Sequence, residues 1–440
     1  DGHKSVVFAD TMIMSTYLVA FIVGPFEATA PLDVDGVPLR IVHPIGKGHL
    51  ADYALEAGAY ALRFFTRYYG IPYPGQKLDM VAVPDFAFGA MENLGCITYR
   101  EVLLLVDKTR STEPELLRIA DVIAHEIAHM WFGDLVTMEW WNGIWLNEAF
   151  ATFMATMCSD NFNPGWGRWN QFSLERSMAF DVDSLINTRP IEFEVLSPVD
   201  AEGMFDLLTY EKGGSVLRML EQYLGEQEFK DGISYYLKKH KYGNTETNDL
   251  WDAIEHVTKQ PARRIMDSWI FQKGYPLISA SISEDGSSIS LTQDRFLYTD
   301  DDSEDKTTWS VPVVLKVGTS SAVEEVRYLL EQSSAEISLD SPIHWATANA
   351  GGSGFFRARY SPDMLDALSN TMFDSLTPIE RYGLVDDTWS SVMAGRTSAY
   401  EFLTFAKTFK TETDLDVWTV LSGCLSTLDK LVEGEAKIQY

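Results

Sequence analysis

The sequence predicts a mixed α+β chain with several domains. Its 440 residues are 46% hydrophobic and 12% aromatic, which is enough to bury more than one core. At roughly 150 residues per domain we expect about three domains. Two stretches, residues 5–42 and 276–360, are rich in strand-forming residues separated by turn signals. Between them, and again after residue 361, apolar residues recur at helical spacing.

The first β-rich stretch contains the longest apolar run near the beginning of the chain. Gly24-Pro25 and Asp35-Gly36 interrupt residues 5–42, which indicates strands joined by turns. Residues 12–24 are too few to span a bilayer, and no basic region precedes them. We interpret this run as a buried strand and expect a soluble chain, with the cytoplasm favoured.

The remaining elements follow from periodicity. A helix is predicted from about residue 47, because apolar residues from Leu50 to Phe65 lie at helical spacing. Helix-length segments then dominate to about residue 274, and helices return after Ser361-Pro362. Further strands are predicted at residues 78–83, 96–106, 277–282, 289–292 and 311–317.

Charge excludes some classes of partner. The formal net charge is −29, from 35 basic and 64 acidic residues, so no large positive surface is expected. Nucleic acid and anionic membranes are therefore poor partners. The charge favours solubility, although a negative field would also attract the amino end of a peptide. The sequence leaves the oligomeric state open.

Two smaller features have simple interpretations. The three cysteines Cys96, Cys158 and Cys424 are too few and too scattered for a disulfide framework or a thiolate metal site, so we expect buried reduced thiols. The acidic run at residues 300–305 lacks the glycine and glutamate spacing of a calcium loop. A solvated loop is therefore favoured over a calcium site.

The segment His125-Glu126-Ile127-Ala128-His129 carries the strongest chemical signal. It lies in a stretch with helix-start residues, since Thr112 can cap the helix while Glu115 reaches back. At about 100° per residue the two histidines lie on one face, so both imidazoles can bind one ion. The alternative is an ordinary helix with two hydrogen-bonded histidines.

A third ligand is available nineteen residues after His129. Glu148 lies in a second helix-forming stretch, and a short link between two antiparallel helices would complete a His₂Glu set. Such a set leaves a fourth position for water, whose pKa a zinc ion lowers to about 7. Glu126 is then the natural general base. The plain alternative for Glu148 is a surface glutamate, and Asp134 and Thr152 are either partners of the ligands or solvent-exposed.

Three motifs of the sequence resemble those of the aminopeptidase N family of gluzincin metallopeptidases. The zinc region continues through Trp131-Phe132-Gly133-Asp134, Trp140-Trp141 and Trp145-Leu146-Asn147-Glu148. Upstream, Gly89-Ala90-Met91-Glu92-Asn93 matches the exopeptidase motif of that family, and downstream Tyr210-Glu211-Lys212-Gly213 matches its catalytic-tyrosine motif. Three motifs in the same order make the resemblance specific.

The resemblance implies a role for each motif. A substrate-binding segment would comprise Gly89, Ala90, Met91, Glu92 and Asn93, with Glu92 binding the free α-ammonium and the backbone aligning the peptide as an added strand. Tyr210 would donate a hydrogen bond to the oxygen that gains negative charge. Without the resemblance, Glu92 is a loop carboxylate and Tyr210 a packing residue. Phe86 and Phe88 either line the substrate pocket or pack in the core.

The resemblance also implies an architecture. Residues 45–275 would form a thermolysin-like, mainly helical catalytic domain with a small mixed sheet. A remnant of an N-terminal β-domain at 1–44, a β-sandwich at 276–360 and the start of a C-terminal helical domain at 361–440 would flank it. Most of the first domain of that family is missing, and Ala149 replaces a usual glycine. We therefore expect a fragment with a more open cleft and weaker recognition of the amine.

These expectations converge on a zinc-dependent aminopeptidase that holds one catalytic Zn²⁺ and acts on peptides with a free N-terminus. One alternative is a thermolysin-type endopeptidase, against which Glu92 in its motif argues. The other is an inactive binding or scaffold fragment.

Overall fold

The computed structural model describes residues 2–299 and 305–432. Helices and several small sheets alternate in it, so the predicted mixed α+β class is confirmed. The helices of the described residues are α1 Asp52–Tyr69, α2 Glu113–His129, α3 Ile144–Phe162, α4 Arg168–Asp183, α5 Pro198–Glu202, α6 Gly213–Leu224, α7 Glu226–His240, α8 Thr247–Thr258, α9 Ala262–Ile270, α10 Pro362–Ser375, α11 Pro378–Met393, α12 Ala399–Ala406 and α13 Leu415–Leu431. The strands are β1 Phe26–Ala28, β2 Leu32–Val34, β3 Val37–Pro44, β4 Leu78–Val83, β5 Ala90–Met91, β6 Cys96–Arg100, β7 Val136–Met138, β8 Gly243–Thr245, β9 Pro276–Ile282, β10 Ser288–Arg295, β11 Val311–Thr319, β12 Val323–Leu330, β13 Ser334–Ser338, β14 Ile343–Thr347 and β15 Arg357–Tyr360.

The chain divides into two compact units. The first contains residues up to Trp166 together with Lys230–Val257, and the second contains Gly167–Phe229 and the residues from Thr258 onward. The four domain ranges expected from the sequence stay predictions.

A six-stranded sheet organises the first unit. Its strands run in the order β1-β3-β4-β6-β5, and β2 also pairs with β3. The pairs β3/β4 and β4/β6 are parallel, whereas β5 runs antiparallel to β6 at one end of the sheet. Helix α1 packs on β3 and against α2, and α2 packs against α3. Leu39, Ile41, Met80 and Phe65 are fully buried in this core.

The strand predicted at residues 12–24 is wrong. The structure has a single turn of 3-10 helix there, Thr16–Leu18, and the first strand begins only at Phe26. Leu18 is buried, but Phe21 and Val23 are 85% and 93% exposed. An apolar run forms a strand only where a neighbouring strand pairs with it, and no described strand does so here.

The predicted turn at Asp35-Gly36 is confirmed. It joins β2 to β3 in an antiparallel hairpin with Val34 paired to Val37. Both turn residues have positive φ, 53° and 93°, as a two-residue hairpin turn requires. The strand predicted at residues 78–83 is also confirmed, while the one predicted at 96–106 ends at Arg100 and continues as a 3-10 turn.

Two small sheets and most of the remaining helices form the second unit. One sheet has the order β13-β10-β9-β15 and the other β12-β11-β14, so the strands predicted at 277–282, 289–292 and 311–317 are confirmed. The predicted return to helices is confirmed by α10, which begins at Pro362. Helices α10 to α13 share a core with Trp345, in which Leu368, Val385 and Phe402 are fully buried.

The remaining expectations have mixed outcomes. In residues 2–299 and 305–432, no helix is both long and apolar enough to cross a membrane; the cytoplasmic location stays a prediction. The three thiols are free, but only Cys158 and Cys424 are buried and Cys96 is half-exposed. Residues 300–304 of the acidic run lie outside the described residues. Asp305 pairs with Arg295 at 2.9 Å.

Candidate metal centre

Helix α2 carries both predicted histidine ligands near its C-terminal end. Its N-terminus is the predicted capping box, since the backbone N–H of Thr112 donates to Glu115 at 2.8 Å and Pro114 lies in the first turn. The apolar residues of the helix face inward, which buries its last turns. His129 is almost completely buried and His125 is partly buried.

Helix α3 brings Glu148 to the same place. The helix begins at Ile144 after a short 3-10 turn, and its first two turns are buried, including Glu148. Gly133, between α2 and β7, has a φ of +127°. A Cβ there would lie 3.3 Å from Nδ1 of His129 and 3.4 Å from Nδ2 of Asn147. A glycine at this position therefore permits the close approach of the two helices.

Three potential ligand atoms converge between these helices. Nε2 of His129 lies 3.0 Å from Nε2 of His125, and Oε2 of Glu148 lies 3.2 Å from His125 Nε2 and 3.5 Å from His129 Nε2. In a tetrahedral zinc site with bonds of about 2.0–2.1 Å, neighbouring ligand atoms are about 3.3 Å apart. The three separations therefore fit a single ion of this size.

A hydrogen bond to the backbone fixes the orientation of the His129 ring, so that its Nε2 faces the other two potential ligands. Its Nδ1 lies 2.9 Å from the carbonyl oxygen of Phe132, which can only accept, so this nitrogen carries the proton. In the neutral ring Nε2 then presents a lone pair towards the Glu148 carboxylate. Two such atoms repel each other unless a proton or a cation lies between them. The donor set of two imidazoles and a carboxylate suits zinc.

The charges of this cluster shift the pKa values of its members. Burial alone would lower the pKa of His129, but Glu92 and Glu148 outweigh it, so the pKa lies well above its usual value. Burial alone would raise the pKa of Glu148, yet the two histidines lower it. Burial lowers the pKa of His125, and its hydrogen bond with Glu148 opposes that shift only in part. A divalent cation would add to the field that keeps Glu148 ionised.

Two further carboxylates lie beside the ligands. One carboxylate oxygen each from Glu92 and Glu126 and one nitrogen of His129 lie within 4.8 Å of one another. Oε2 of Glu126 is buried and has no hydrogen-bond partner. Burial raises the pKa of Glu126 well above its usual value; His129 opposes this rise, and repulsion from Glu92 and Glu148 adds to it. An unpaired buried carboxylate beside a cation site can accept a proton from a bound molecule.

Asp134 is buried rather than solvent-exposed, so that alternative is wrong. Neither of its side-chain oxygens has a hydrogen-bond partner. Burial and repulsion from Glu92 raise its pKa well above the usual value. It does not hydrogen-bond His129, whose Nδ1 uses the Phe132 carbonyl. Thr152 is half-buried, and its carbonyl accepts a bond from Thr156.

The segment Gly89 to Asn93 forms the edge of the six-stranded sheet. Ala90 and Met91 pair with Tyr99 and Thr98 of β6, and the carbonyl of Gly89 accepts from the N–H of Arg100 at 2.8 Å. Strand β5 is the last strand of this sheet among the described residues, so its outer edge can pair with an extended peptide. Glu92 follows directly and is buried.

Asn93 has a different environment from the other residues of this segment. Its amide donates to the carbonyl of Leu18 at 3.2 Å, and its oxygen accepts from Thr98 at 2.9 Å. These bonds hold the 3-10 turn Thr16–Leu18 against the sheet. Phe88 is 73% exposed, so the alternative that it packs in the core is wrong.

Sequence reasoning missed Tyr17 as a member of the site. Its hydroxyl lies 3.3 Å from Oε1 of Glu92 and accepts a hydrogen bond from Nδ2 of Asn147 at 3.1 Å. The residue lies in the stretch that was predicted to be a buried strand. No spacing or local motif connects it with residues that lie 75 and 130 positions away.

Tyr210 lies in the second unit, on the π-helical segment Leu208–Lys212, and is half-buried. Such segments are frequent at functional sites. Lys212 anchors this segment, because its buried ammonium lies 2.8 Å from Asp183 and 3.1 Å from the carbonyl of Gly274. The role of Tyr210 stays a prediction.

Comparison with known proteins adds independent information. Residues 53–269 match the model of the peptidase family M1 domain, and residues 345–440 match that of the ERAP1-like C-terminal domain. The chain is 40% identical to aminopeptidase M1 of Arabidopsis thaliana over 98% of its own length and 50% of that protein. It is 40% identical to aminopeptidase 2 of Candida albicans over 95% of its length and 45% of that protein.

A third relative is the puromycin-sensitive aminopeptidase of Caenorhabditis elegans, which is 36% identical over 97% of this chain and 46% of that protein. The chain thus spans about half the length of the curated relatives it matches. The similarity includes the segment in which the histidines, Glu126 and Glu148 converge. On these grounds the chain belongs to peptidase family M1.

Proposed function

We propose that the chain is a zinc-dependent aminopeptidase that hydrolyses the first peptide bond of peptides with a free N-terminus. One observation carries the proposal: the potential ligand atoms of His125, His129 and Glu148 converge beside the unpaired carboxylate of Glu126 and the carboxylate of Glu92. The names of the relatives, all of them aminopeptidases, support the same class of reaction.

The proposed architecture is that of a thermolysin-like catalytic domain over residues 45–275. The convergence of α2 and α3 on one site beside a mixed sheet supports it. The proposal also assigns residues 1–44 to an N-terminal β-domain, residues 276–360 to a β-sandwich and residues 361–440 to a helical domain. The two small sheets and helices α10 to α13 support the last two ranges.

The metal ligands in this proposal are His125, His129 and Glu148. A zinc ion held there would polarise the carbonyl of the scissile bond and lower the pKa of a water molecule to about 7. Three protein ligands leave room for substrate, whereas a structural zinc site takes four. The Phe132 carbonyl keeps the ring of His129 in the tautomer that offers Nε2 to the ion.

Glu126 is the proposed general base. Its buried carboxylate would take a proton from the attacking water and deliver it to the leaving amine. The raised pKa of Glu126, which burial and the neighbouring carboxylates cause, makes this carboxylate a stronger proton acceptor than an exposed glutamate.

The proposed substrate-binding residues are Gly89, Ala90, Met91, Glu92 and Asn93. The free edge of β5 can add the peptide as a further strand, and the buried carboxylate of Glu92 can then bind the α-ammonium at the end of that strand. A blocked amino end would leave this buried carboxylate without a cationic partner, which is costly and gives selectivity for a free amino end. Asn93 contributes by holding the neighbouring turn.

Tyr210 is the proposed donor to the carbonyl oxygen as negative charge develops there. Tyr210→Phe should lower kcat by roughly 10²-fold or more with a smaller change in KM, because this interaction forms in the transition state. The measurement is steady-state kinetics on an amino-acyl amide, with zinc content determined for both proteins. An unchanged kcat would remove Tyr210 from the mechanism.

The test of the proposed function compares a peptide with its N-acetylated twin on metal-loaded protein. An aminopeptidase should cleave the free peptide and fail on the acetylated one, because acetylation removes the positive charge that Glu92 binds. Cleavage of both peptides would indicate a thermolysin-type endopeptidase. Cleavage of neither, with zinc bound at one ion per chain, would indicate a binding or scaffold fragment.

A further inference from the structure

The 3-10 turn Thr16–Leu18 is fastened to the segment proposed to bind the substrate amine. Tyr17 and Leu18, which are successive in the turn, form hydrogen bonds with Glu92 and Asn93, which are successive in that segment. The hydroxyl of Tyr17 lies 3.3 Å from Oε1 of Glu92, and the carbonyl of Leu18 accepts from the amide of Asn93 at 3.2 Å. Leu18 is also buried, so the turn is fixed in register with the end of β5.

The direction of each hydrogen bond at Tyr17 is determined by its partners. The Nδ2 of Asn147 can only donate, so it donates to the Tyr17 oxygen, at 3.1 Å. The Tyr17 hydroxyl donates its own proton to Oε1 of Glu92. The chain of bonds therefore runs from Asn147 through Tyr17 to Glu92. Asn147 directly precedes Glu148 on α3.

The ring of Tyr17 is held in place independently of its hydroxyl. It packs edge-on against Trp141 with the ring centroids 5.6 Å apart. Burial raises the pKa of Tyr17 well above its usual value, and the charge of Glu92 adds to the rise, so the hydroxyl keeps its proton. Tyr17 occupies only one acceptor site on Oε1 of Glu92, and a carboxylate has about four such sites, so Glu92 can also bind a second donor.

We propose that Tyr17 is a positioning residue that orients the carboxylate of Glu92 for the substrate ammonium and ties it to the helix that carries Glu148. This inference rests on the proposed function, in which Glu92 binds the amine. The Tyr17 hydroxyl links the amine-binding carboxylate to the residue next to a metal ligand. It thereby sets the distance between the bound amine and the scissile bond. In an aminopeptidase this distance must equal the length of one substrate residue.

The test is Tyr17→Phe in the metal-loaded chain, because this change removes the hydroxyl and keeps the ring that packs on Trp141. The assay uses the best substrate of wild-type protein from a panel of amino-acyl amides. Loss of the hydrogen bond from the Tyr17 hydroxyl to the Glu92 carboxylate should raise KM about fivefold to tenfold, with kcat changed less than about threefold. Zinc content should stay at the wild-type value.

A matched control is Tyr53→Phe, which removes a hydroxyl that donates to the carbonyl of Leu116 at 2.9 Å in α2. This variant should leave KM unchanged. A double-mutant cycle separates positioning from general loosening of the fold. In the Glu92→Gln background, Tyr17→Phe should change KM less than about twofold, because its effect acts through the Glu92 carboxylate.

Each other outcome overturns the inference. Three results would show that Tyr17 does not act by orienting Glu92. They are an unchanged KM in Tyr17→Phe, an equal rise in KM with and without Glu92→Gln, and a loss of zinc from Tyr17→Phe. If wild-type protein cleaves peptides with a free amino end and the variant behaves like wild type, only this inference fails. If wild-type protein with zinc bound cleaves no such peptide, the proposed function fails and this inference fails with it.

Discussion

Two clusters of buried charge, one in each compact unit, differ in how their charges are satisfied. In the first unit, Glu126 and Asp134 have buried carboxylate oxygens without hydrogen-bond partners. In the second unit, Arg357 lies 2.8 Å from Asp386 and 3.2 Å from Asp387. Both of these carboxylates accept further bonds, Asp386 from Ser177 and Asp387 from the backbone N–H of Ala358.

The difference indicates which cluster has a function beyond holding the fold together. Burial of an unpaired carboxylate costs stability, so such groups persist where a ligand or a reaction needs them. A cluster that pairs each charge inside the protein offers nothing to a ligand. The cluster around Glu126 should therefore respond to metal and substrate, whereas that around Arg357 should respond only to unfolding.

The largest expected effect comes from changing two glutamates of the first cluster separately. Glu148→Gln should reduce bound zinc from about one ion per chain to roughly a tenth or less, because a neutral amide is a weak ligand. Glu126→Gln should keep the zinc yet lower kcat by roughly 10²- to 10⁴-fold, because the proton acceptor is lost. Metal analysis and steady-state kinetics on both variants check the prediction.

Each of these variants is the control for the other, since both replace a buried glutamate by glutamine within the same cluster. Zinc retained at one ion per chain in Glu148→Gln would exclude Glu148 as a ligand. Turnover preserved in Glu126→Gln would exclude Glu126 as the base. Equal loss of zinc in both would mean that the cluster cannot be divided into ligand and base.

The next effect tests the second cluster. Arg357→Met should destabilise the protein by about 3–5 kcal/mol, because it leaves the buried Asp387 and the partly buried Asp386 without this cation. The measurement is the urea midpoint at neutral pH, together with the zinc content of the folded protein. Zinc binding should be unchanged. Loss of zinc at full stability would reverse the contrast between the clusters.

Much of the site could be predicted because its signals are local in sequence. The capping box of Thr112 and Glu115, the spacing of His125 and His129 and the turn at Asp35-Gly36 depend on residues a few positions apart. The structure forms the capping box and the turn where they were expected. Periodicity on a helix also indicates which residues share a face, so the two imidazoles were expected to converge.

The failed predictions depended on contacts between distant residues. Residues 12–24 have the composition of a strand, but composition does not supply a partner strand, and Tyr17 instead contacts residues far along the chain. Asp134 gave no sign of its burial, because that follows from the packing of α2 against α3. Such long-range contacts leave no pattern in a single sequence.

The smallest expected effect concerns the pH dependence of stability in the second cluster. Burial raises the pKa of Asp387 to about 7, although Arg357 partly opposes that rise. The folded state therefore holds a proton that the unfolded chain has already lost between about pH 4 and pH 7. Stability should consequently fall as the pH rises through this window, by up to about 1.4 kcal/mol per pH unit for one group. Asp387→Asn cannot titrate and should flatten the urea midpoint between pH 5 and pH 7, whereas Asp340→Asn, at an exposed position in the same unit, should leave the slope unchanged. An identical slope in wild type and Asp387→Asn would mean that Arg357 and the neighbouring Arg176 together keep Asp387 ionised in the folded protein.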